Sequence, residues 1–240
     1  MGESDTRAAR RWPGVVPTIA AAVFVALTIA LGNWQWRRAA YKIELALEFD
    51  RRTAHAVVSL ANGAARPEDL QYRRIRVSGQ YDAERTVFID NRHHQGAVGY
   101  QVVTPLRIAG SERYVLIDRG WVRAGARRDS LPQVATPRGT QTVEGIGVMP
   151  PTRVFELAPD AASGPVRQHL RPERLAEEWQ LALHPIVIQQ TDRIADGLVR
   201  DRERPDTGVD KHRAYALQWY TFSILAIILY VFLGFRRARA

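Results

Sequence analysis

Ala214-Tyr215-Ala216-Leu217-Gln218-Trp219-Tyr220-Thr221-Phe222-Ser223 runs into Ile224-Leu225-Ala226-Ile227-Ile228-Leu229-Tyr230-Val231-Phe232-Leu233 and on to Phe235 without a charged residue. A second uncharged run lies near the other end, from Val15 to Leu31, centred on Val23-Phe24-Val25-Ala26-Leu27. A bilayer core of about 30 Å needs roughly 20 helical residues at about 1.5 Å rise each. The later run meets that length outright. The earlier one meets it if Asn33 to Trp36 lie among the headgroups. Trp12, Trp34 and Trp36 flank it, while Trp219, Tyr220 and Tyr230 lie in or near the ends of the other. Rings with one polar edge favour that depth. Two spans with a long polar stretch between them are therefore expected.

The competing reading of the first run is a cleaved signal peptide, with Arg7, Arg10 and Arg11 as its basic start. Against it, the apolar run exceeds a signal peptide's usual 7–15-residue core, and a helical pattern continues through Trp34 to Arg38. An even number of spans puts both termini on one side. The short tails carry Arg7, Arg10, Arg11, Arg236, Arg237 and Arg239, and short basic tails stay inside whereas long loops cross largely regardless of charge. The expected organisation is a cytoplasmic tail (1–14), a first span (15–36), an outer domain (37–213), a second span (214–235) and a second cytoplasmic tail (236–240).

Of the 240 residues 46% are hydrophobic, too many for a disordered chain. The absence of Cys removes disulfide scaffolds, zinc fingers, iron–sulfur clusters and covalently attached haem at once. The net charge is +9, but without the terminal arginines the chain is only mildly basic. No strip of Arg and Lys interleaved with aromatics occurs, so nucleic acid is an unsuitable partner.

Between the spans, a helix is expected from Gly32 to about Arg52, with Trp34–Arg38 and Leu45–Phe49 at fourfold spacing. Asn62-Gly63 and Pro67 mark a loop. Strands are expected at Arg73–Gly79, Thr86–Asp90, Tyr100–Ile108, Arg113–Val122, Thr142–Met149 and Ile186–Ile188, spaced as in a small antiparallel sheet or barrel. Pro172 opens a short amphipathic helix carrying Leu175, Trp179 and Leu183, and Asp192–Asp210 reads as a linker. The fold class is thus an α+β membrane protein, a two-helix hairpin flanking a mainly antiparallel β domain with one or two helices.

Enzyme signatures are mostly missing: no G-x-S-x-G, no phosphate loop, no H-E-x-x-H, no G-x-G-x-x-G opening a helix. His93-His94 after Asp90 reads as a solvated turn, because neighbouring strand residues face opposite ways. His55, His169 and His184 have no obvious partner. In the strand Tyr114–Trp121, alternation puts Arg119 on the apolar face with Val115, Ile117 and Trp121. Either Gly120 forms a bulge that re-aims the strand, or Arg119 points to the membrane or an anionic ligand.

His212 has the most suggestive neighbours. If a helix begins there, His212, Tyr215, Ala216 and Trp219 share one face. An imidazole ligates iron well, a small alanine admits a planar macrocycle, and Lys211 and Arg213 could meet carboxylates. The same pattern also suits a plain interfacial belt of basic and aromatic anchors.

Four segments resemble one family. Leu31-Gly32-Asn33-Trp34-Gln35-Trp36-Arg37-Arg38 resembles the L-G-x-W-Q-x-x-R signature of the surfeit locus protein 1 family. Gly99-Tyr100-Gln101-Val102-Val103-Thr104-Pro105-Leu106 is similar to its G-[YF]-x-V-x-T-P-L, Arg119-Gly120-Trp121 to its R-G-W, and His212-x-x-Tyr215-Ala216-x-Gln218-Trp219 to its H-x-x-Y-A-x-Q-W. They occur in order and bracket nearly the whole chain. The resemblance implies a bacterial inner-membrane assembly factor for haem–copper cytochrome c oxidase, with a periplasmic middle domain, that helps insert haem a into the catalytic subunit. The partners implied are that subunit, haem a synthase and the lipid bilayer. It implies transient haem a binding with His212 as iron ligand, Trp34, Gln35, Tyr215 and Trp219 around the macrocycle, and Arg38 or Arg37 on a propionate. Arg119, Gly120 and Trp121 would cap this site or form a docking surface. A scaffold that clasps oxidase subunits without haem, or less readily a membrane-anchored periplasmic enzyme, are the alternatives.

Overall fold

The structure is a computed structural model; it describes residues 14–61, 65–125, 131–150, 164–192, 194–201 and 208–237. The Asn62-Gly63 loop, the N-terminal arginines and part of Gly125–Gly139 lie outside those residues. In chain order the elements are α1 (Val15–Ala54), β1 (Val58–Ser59), α2 (Pro67–Leu70), β2 (Arg74–Tyr81), a 3-10 turn (Ala83–Arg85), β3 (Val87–His94), β4 (Ala97–Ile108), β5 (Tyr114–Arg123), β6 (Thr140–Val148), β7 (Val166–Arg167), α3 (Pro172–Trp179), β8 (Leu183–Gln190) and α4 (Val209–Arg237). They divide into two units, Met1–Glu48 with Arg204–Ala240, and Phe49–Glu203.

The first unit is an antiparallel helical hairpin. Both helices are long and apolar enough to cross a membrane. α1 has 40 residues, about 60 Å at 1.5 Å per residue, so half of it exceeds a bilayer core. Its last turn carries Arg51 and Arg52, which complement the negative end of the helix dipole. Polar pairs set the register against α4. Thr18 Oγ1 lies 2.7 Å from the Tyr230 hydroxyl, Thr28 Oγ1 2.6 Å from Ser223 Oγ, and the Tyr220 hydroxyl donates to Asn33 Oδ1 at 2.8 Å. In hydrocarbon an unpaired hydroxyl is costly, so these pairs hold the helices in one alignment. Gly32 admits the Tyr220 ring: a Cβ there would stand 2.5 Å from Tyr220 Cε1.

The second unit is a small barrel. β2 pairs with β6, β6 with β8, β8 with β5, β5 with β4, and β4 returns to β2 through Gly79↔Ile108 to Tyr81↔Leu106, closing a ring of five strands. All of these pairings are antiparallel except β5 with β8. The inward face of the strands supplies the core: Ile75, Val77, Leu106, Val115, Ile117, Val143, Ile186 and Ile188. β4 is long enough to serve twice. Its second half closes the barrel, while its first half pairs with β3 to extend the sheet. On the outer face Val87, Ile89, Val103, Leu116 and Val187 form a second cluster, covered by Leu175 and Trp179 of α3.

The expected strands are present, with displaced ends. β3 continues past Asp90 to His94, so His93 and His94 lie in a strand and the turn falls at Gln95-Gly96, both at positive φ. α3 stops at Trp179 because Gln180 is left-handed (φ 54°), and Leu183 begins β8 yet still packs on the α3 cluster. β1 and β7 are two-residue parallel additions to β2 and β3, too short for any periodicity to announce. Part of the expected linker is structured. Asp192 accepts the Glu144 N–H at 2.9 Å, and Val199 and Trp121 exchange two backbone hydrogen bonds of 2.8 Å.

Candidate functional site

In the hairpin, His212 Nδ1 lies 2.7 Å from Gln35 Oε1. A glutamine carbonyl only accepts, so Nδ1 is the donor, and in the neutral imidazole the lone pair then lies on Nε2. A second partner that fixes the tautomer in this way is typical of histidines that ligate metals. Among the described residues Nε2 has no hydrogen-bond partner. No group of three or more His, Asp and Glu able to hold a metal ion occurs among them either.

The seam of the hairpin is identified by its buried positions, Thr28, Gly32 and Ala39 on α1 with Ala216 and Ser223 on α4. With the helices antiparallel and 3.6 residues per turn, the Cα–Cβ directions of Arg38, Tyr215, Trp219 and Phe222 turn to one side of that seam, with Trp34 further round. Trp36 turns to the other. His212 and Gln35 sit at the edge of the first side. Trp34 and Tyr215 are 56% and 54% exposed, and Trp219 meets Phe222 edge to face at 5.8 Å. Arg38 is exposed and lies over the Tyr41 ring, 5.7 Å from its centroid. All six residues named from the sequence therefore fall on or beside one face: an imidazole, an amide, a guanidinium and three aromatic rings.

The space between the helices does not admit a planar macrocycle. The Gly32–Tyr220 and Thr28–Ser223 contacts close that gap, and Ala216, expected to be the open seat, has no exposed surface. The small residue serves helix packing instead.

Arg119, Gly120 and Trp121 lie in the barrel, and all three are buried. The pairing of β4 with β5 slips where Val102 faces Gly120 and Val103 faces Asp118, leaving Arg119 as the bulged residue. Gly120 has φ 138°, and a Cβ there would stand 2.7 Å from Val199 O, so only glycine suits it. Alternation with Val115 and Ile117 keeps Arg119 on the inward face, where its Nη2 meets Asp196 at 3.1 Å and Ala135 O at 2.6 Å while its Nη1 donates to Thr136 at 2.8 Å. Of the two sequence readings the bulge is present, and the carboxylate that Arg119 meets is the chain's own Asp196. The guanidinium also lies 5.3 Å from the Tyr81 ring centroid. Burial pushes the Tyr81 phenol up to about 12 against the pull of Arg119 and Arg200. Burial likewise opposes ionisation of Asp196, but hydrogen bonds from Arg200 and the Leu198 N–H, with the charges of Arg200 and Arg119, outweigh it and hold its carboxyl below the usual range. Trp121 donates its indole N–H to Arg92 O at 2.8 Å and covers Gly99, the first residue of the second motif.

Asp196 and Arg200, which complete this cluster, were hidden in the apparent linker, where no periodicity marks them. His184 was also passed over. It is buried, its Nε2 lies 3.0 Å from Ala65 O, and its Nδ1 accepts the Ile186 N–H at 3.1 Å. Burial lowers its pKa more than the Ala65 bond raises it.

These features define a class: a membrane protein in which two spanning helices flank a small β-barrel. The SURF1 family model matches residues 22–224, and the chain belongs to the SURF1 family. It is 23% identical over 227 residues to a SURF1-like protein of Monosiga brevicollis, covering 86% of this chain and 83% of that one. A SURF1-like protein of Rickettsia conorii is 24% identical over 227 residues, covering 87% and 88%. The cytochrome oxidase assembly protein SHY1 of Saccharomyces cerevisiae is 24% identical over 184 residues, 69% of this chain but 47% of that protein.

Proposed function

We propose that this protein assists the assembly of haem–copper cytochrome c oxidase by holding haem a on one face of its helical hairpin and presenting it to the catalytic subunit. The observation that carries the reading is the Gln35–His212 pair, which leaves Nε2 of an imidazole available beside an aromatic face. In this reading His212 Nε2 donates its lone pair to the iron. Tyr215, Trp219 and Trp34 offer ring surface, and Arg38 offers a planar fork to a propionate. The group itself brings the redox-active iron that the oxidase requires. The chain makes and breaks no covalent bond; it keeps an insoluble cofactor in place until a better site takes it. The family and the assembly role named for the yeast relative support the oxidase as destination. Haem a synthase would be the donor. We place both termini in the cytoplasm and the barrel in the periplasm, because the short tails are arginine-rich.

One observation favours a scaffold instead: the Gln35–His212 bond also fastens two helices together, which needs no haem. Expression beside haem a synthesis separates the two. A haem spectrum in the purified wild type that His212→Ala loses supports the carrier. A haem-free protein that still co-purifies with oxidase subunits supports the scaffold.

A further inference from the structure

Residues 57–61 and 65–72 carry β1 and α2 as a strap over the barrel, and two of their leucines complete its core. Leu60 and Leu70, each 1% exposed, join Ile75, Ile186 and Ile188. Backbone hydrogen bonds hold the strap at both ends, Leu60 N–H to Arg76 O at 2.9 Å and Tyr72 N–H to Gly147 O at 2.8 Å. Arg52 Nη1 adds bonds to Glu68 O and Gln71 O near the second end. Near the middle, His184 of β8 fastens the strap, its Nε2 lying 3.0 Å from Ala65 O.

The contacts of this ring suit only one neutral form. Nδ1 accepts the Ile186 N–H at 3.1 Å, so the proton sits on Nε2 and is donated to the Ala65 carbonyl. A second proton would have to enter at Nδ1, against the N–H of a residue with no exposed surface. An imidazolium also needs water, and His184 is 5% exposed beneath the strap. Its surroundings supply no counter-charge. Burial opposes protonation most strongly, Arg113 ahead of β5 repels a second charge, and the Ala65 bond alone favours one. On α2, Arg66 pairs with Asp69 at 2.9 Å and Glu68 is exposed. β5 sets Tyr114 opposite Leu183 and β6 sets Val148 opposite Val187, neither of them a carboxylate.

We propose that His184 is an acid-released latch: protonation breaks the Ile186 contact, draws the ring into water and lifts the strap at Ala65 while the barrel strands stay paired. The charged ring is hydrated only when the chain that covers it moves off, and that chain is the strap. Lifting it withdraws Leu60 and Leu70 and uncovers Ile75, Ile186 and Ile188. The latch lies wholly within the barrel and is independent of the haem reading.

The test is hydrogen–deuterium exchange of the full chain in lipid nanodiscs, read by mass spectrometry and corrected for the intrinsic pH dependence of exchange. Peptides covering 57–72 are expected to exchange faster at about pH 5.5 than at about pH 7.5, by up to about tenfold, the limit set by a released imidazole with its ordinary value of 6.5. Peptides from β4 and β5 are expected to keep their protection. His184→Gln, whose amide can donate to Ala65 O and accept the Ile186 N–H without titrating, is expected to lose the acid response. The proposal is overturned if 57–72 exchanges alike at both pH values, if strap and strands open together, or if His184→Gln responds as the parent does. Should His184→Gln fail to fold, NMR titration of the parent labelled in its histidines decides. One ring is then expected to stay neutral below the ordinary histidine range until the strap opens, and rings that all titrate at ordinary values would overturn the latch.

Discussion

Gln35 and His212 come from opposite helices of the hairpin and meet at 2.7 Å, amide oxygen to imidazole Nδ1. The contact does two jobs, fastening the helices and fixing which imidazole nitrogen is left with a lone pair. Gln35→Leu removes the acceptor while Thr28–Ser223 and Asn33–Tyr220 still hold the hairpin. Loss of such an orienting partner costs about 10–100-fold in affinity at metal sites. Haem titration of the purified variant is expected to show a weakening of that order; unchanged affinity would remove Gln35 from the site.

The register of the hairpin can be tested without disturbing any cysteine, since the chain has none. Thr28→Cys with Ser223→Cys is expected to form a disulfide on mild oxidation in membranes, because the two hydroxyl oxygens are 2.6 Å apart. Adding Gly32→Ile is expected to suppress that crosslink, since its Cβ would press on the Tyr220 ring at 2.5 Å. Equal crosslinking in both backgrounds would mean that the helices do not pack through Gly32.

Asp196→Ala leaves Arg119 and Arg200 facing each other inside the barrel. Removing one member of a buried ionic group costs about 3–5 kcal/mol, so the barrel is expected to melt well below the parent. The same carboxyl predicts acid sensitivity. Its folded-state pKa is below the unfolded value of 3.8, so its stabilising contribution is present above that pH and fades as pH falls through the lowered value. Denaturant titrations of parent and Asp196→Ala should converge at the acid end; a constant difference between them would contradict this.

His184 predicts a milder loss nearer neutrality. Its folded-state pKa is lowered, so the unfolded chain binds the proton more readily, and stability falls as pH drops from the unfolded value of 6.5 towards the folded one. His184→Gln is expected to flatten the stability profile over that window. A profile that keeps its slope in the variant would assign the titration to another group.

Much of the fold was legible because the signals were long. Uncharged runs announced both helices, and alternation located the central strands to within a few residues. What remained hidden was short or non-local. β1 and β7 are two residues each, and Asp196 finds Arg119 across 77 residues of chain. The conflict at Arg119 was visible as a charge on an apolar face, but its resolution needed an acid from an apparent linker. Ala216 shows the opposite failure: its size was read correctly and its neighbour wrongly, since a small residue suits helix packing as well as a ligand.

The most direct test of the account is chemical rescue at His212. His212→Gly, purified after expression with haem a synthesis, is expected to lack the haem absorbance of the parent and to regain it when free imidazole is supplied. Haem retained by His212→Gly at the level of the parent would contradict the claim that this imidazole holds the iron.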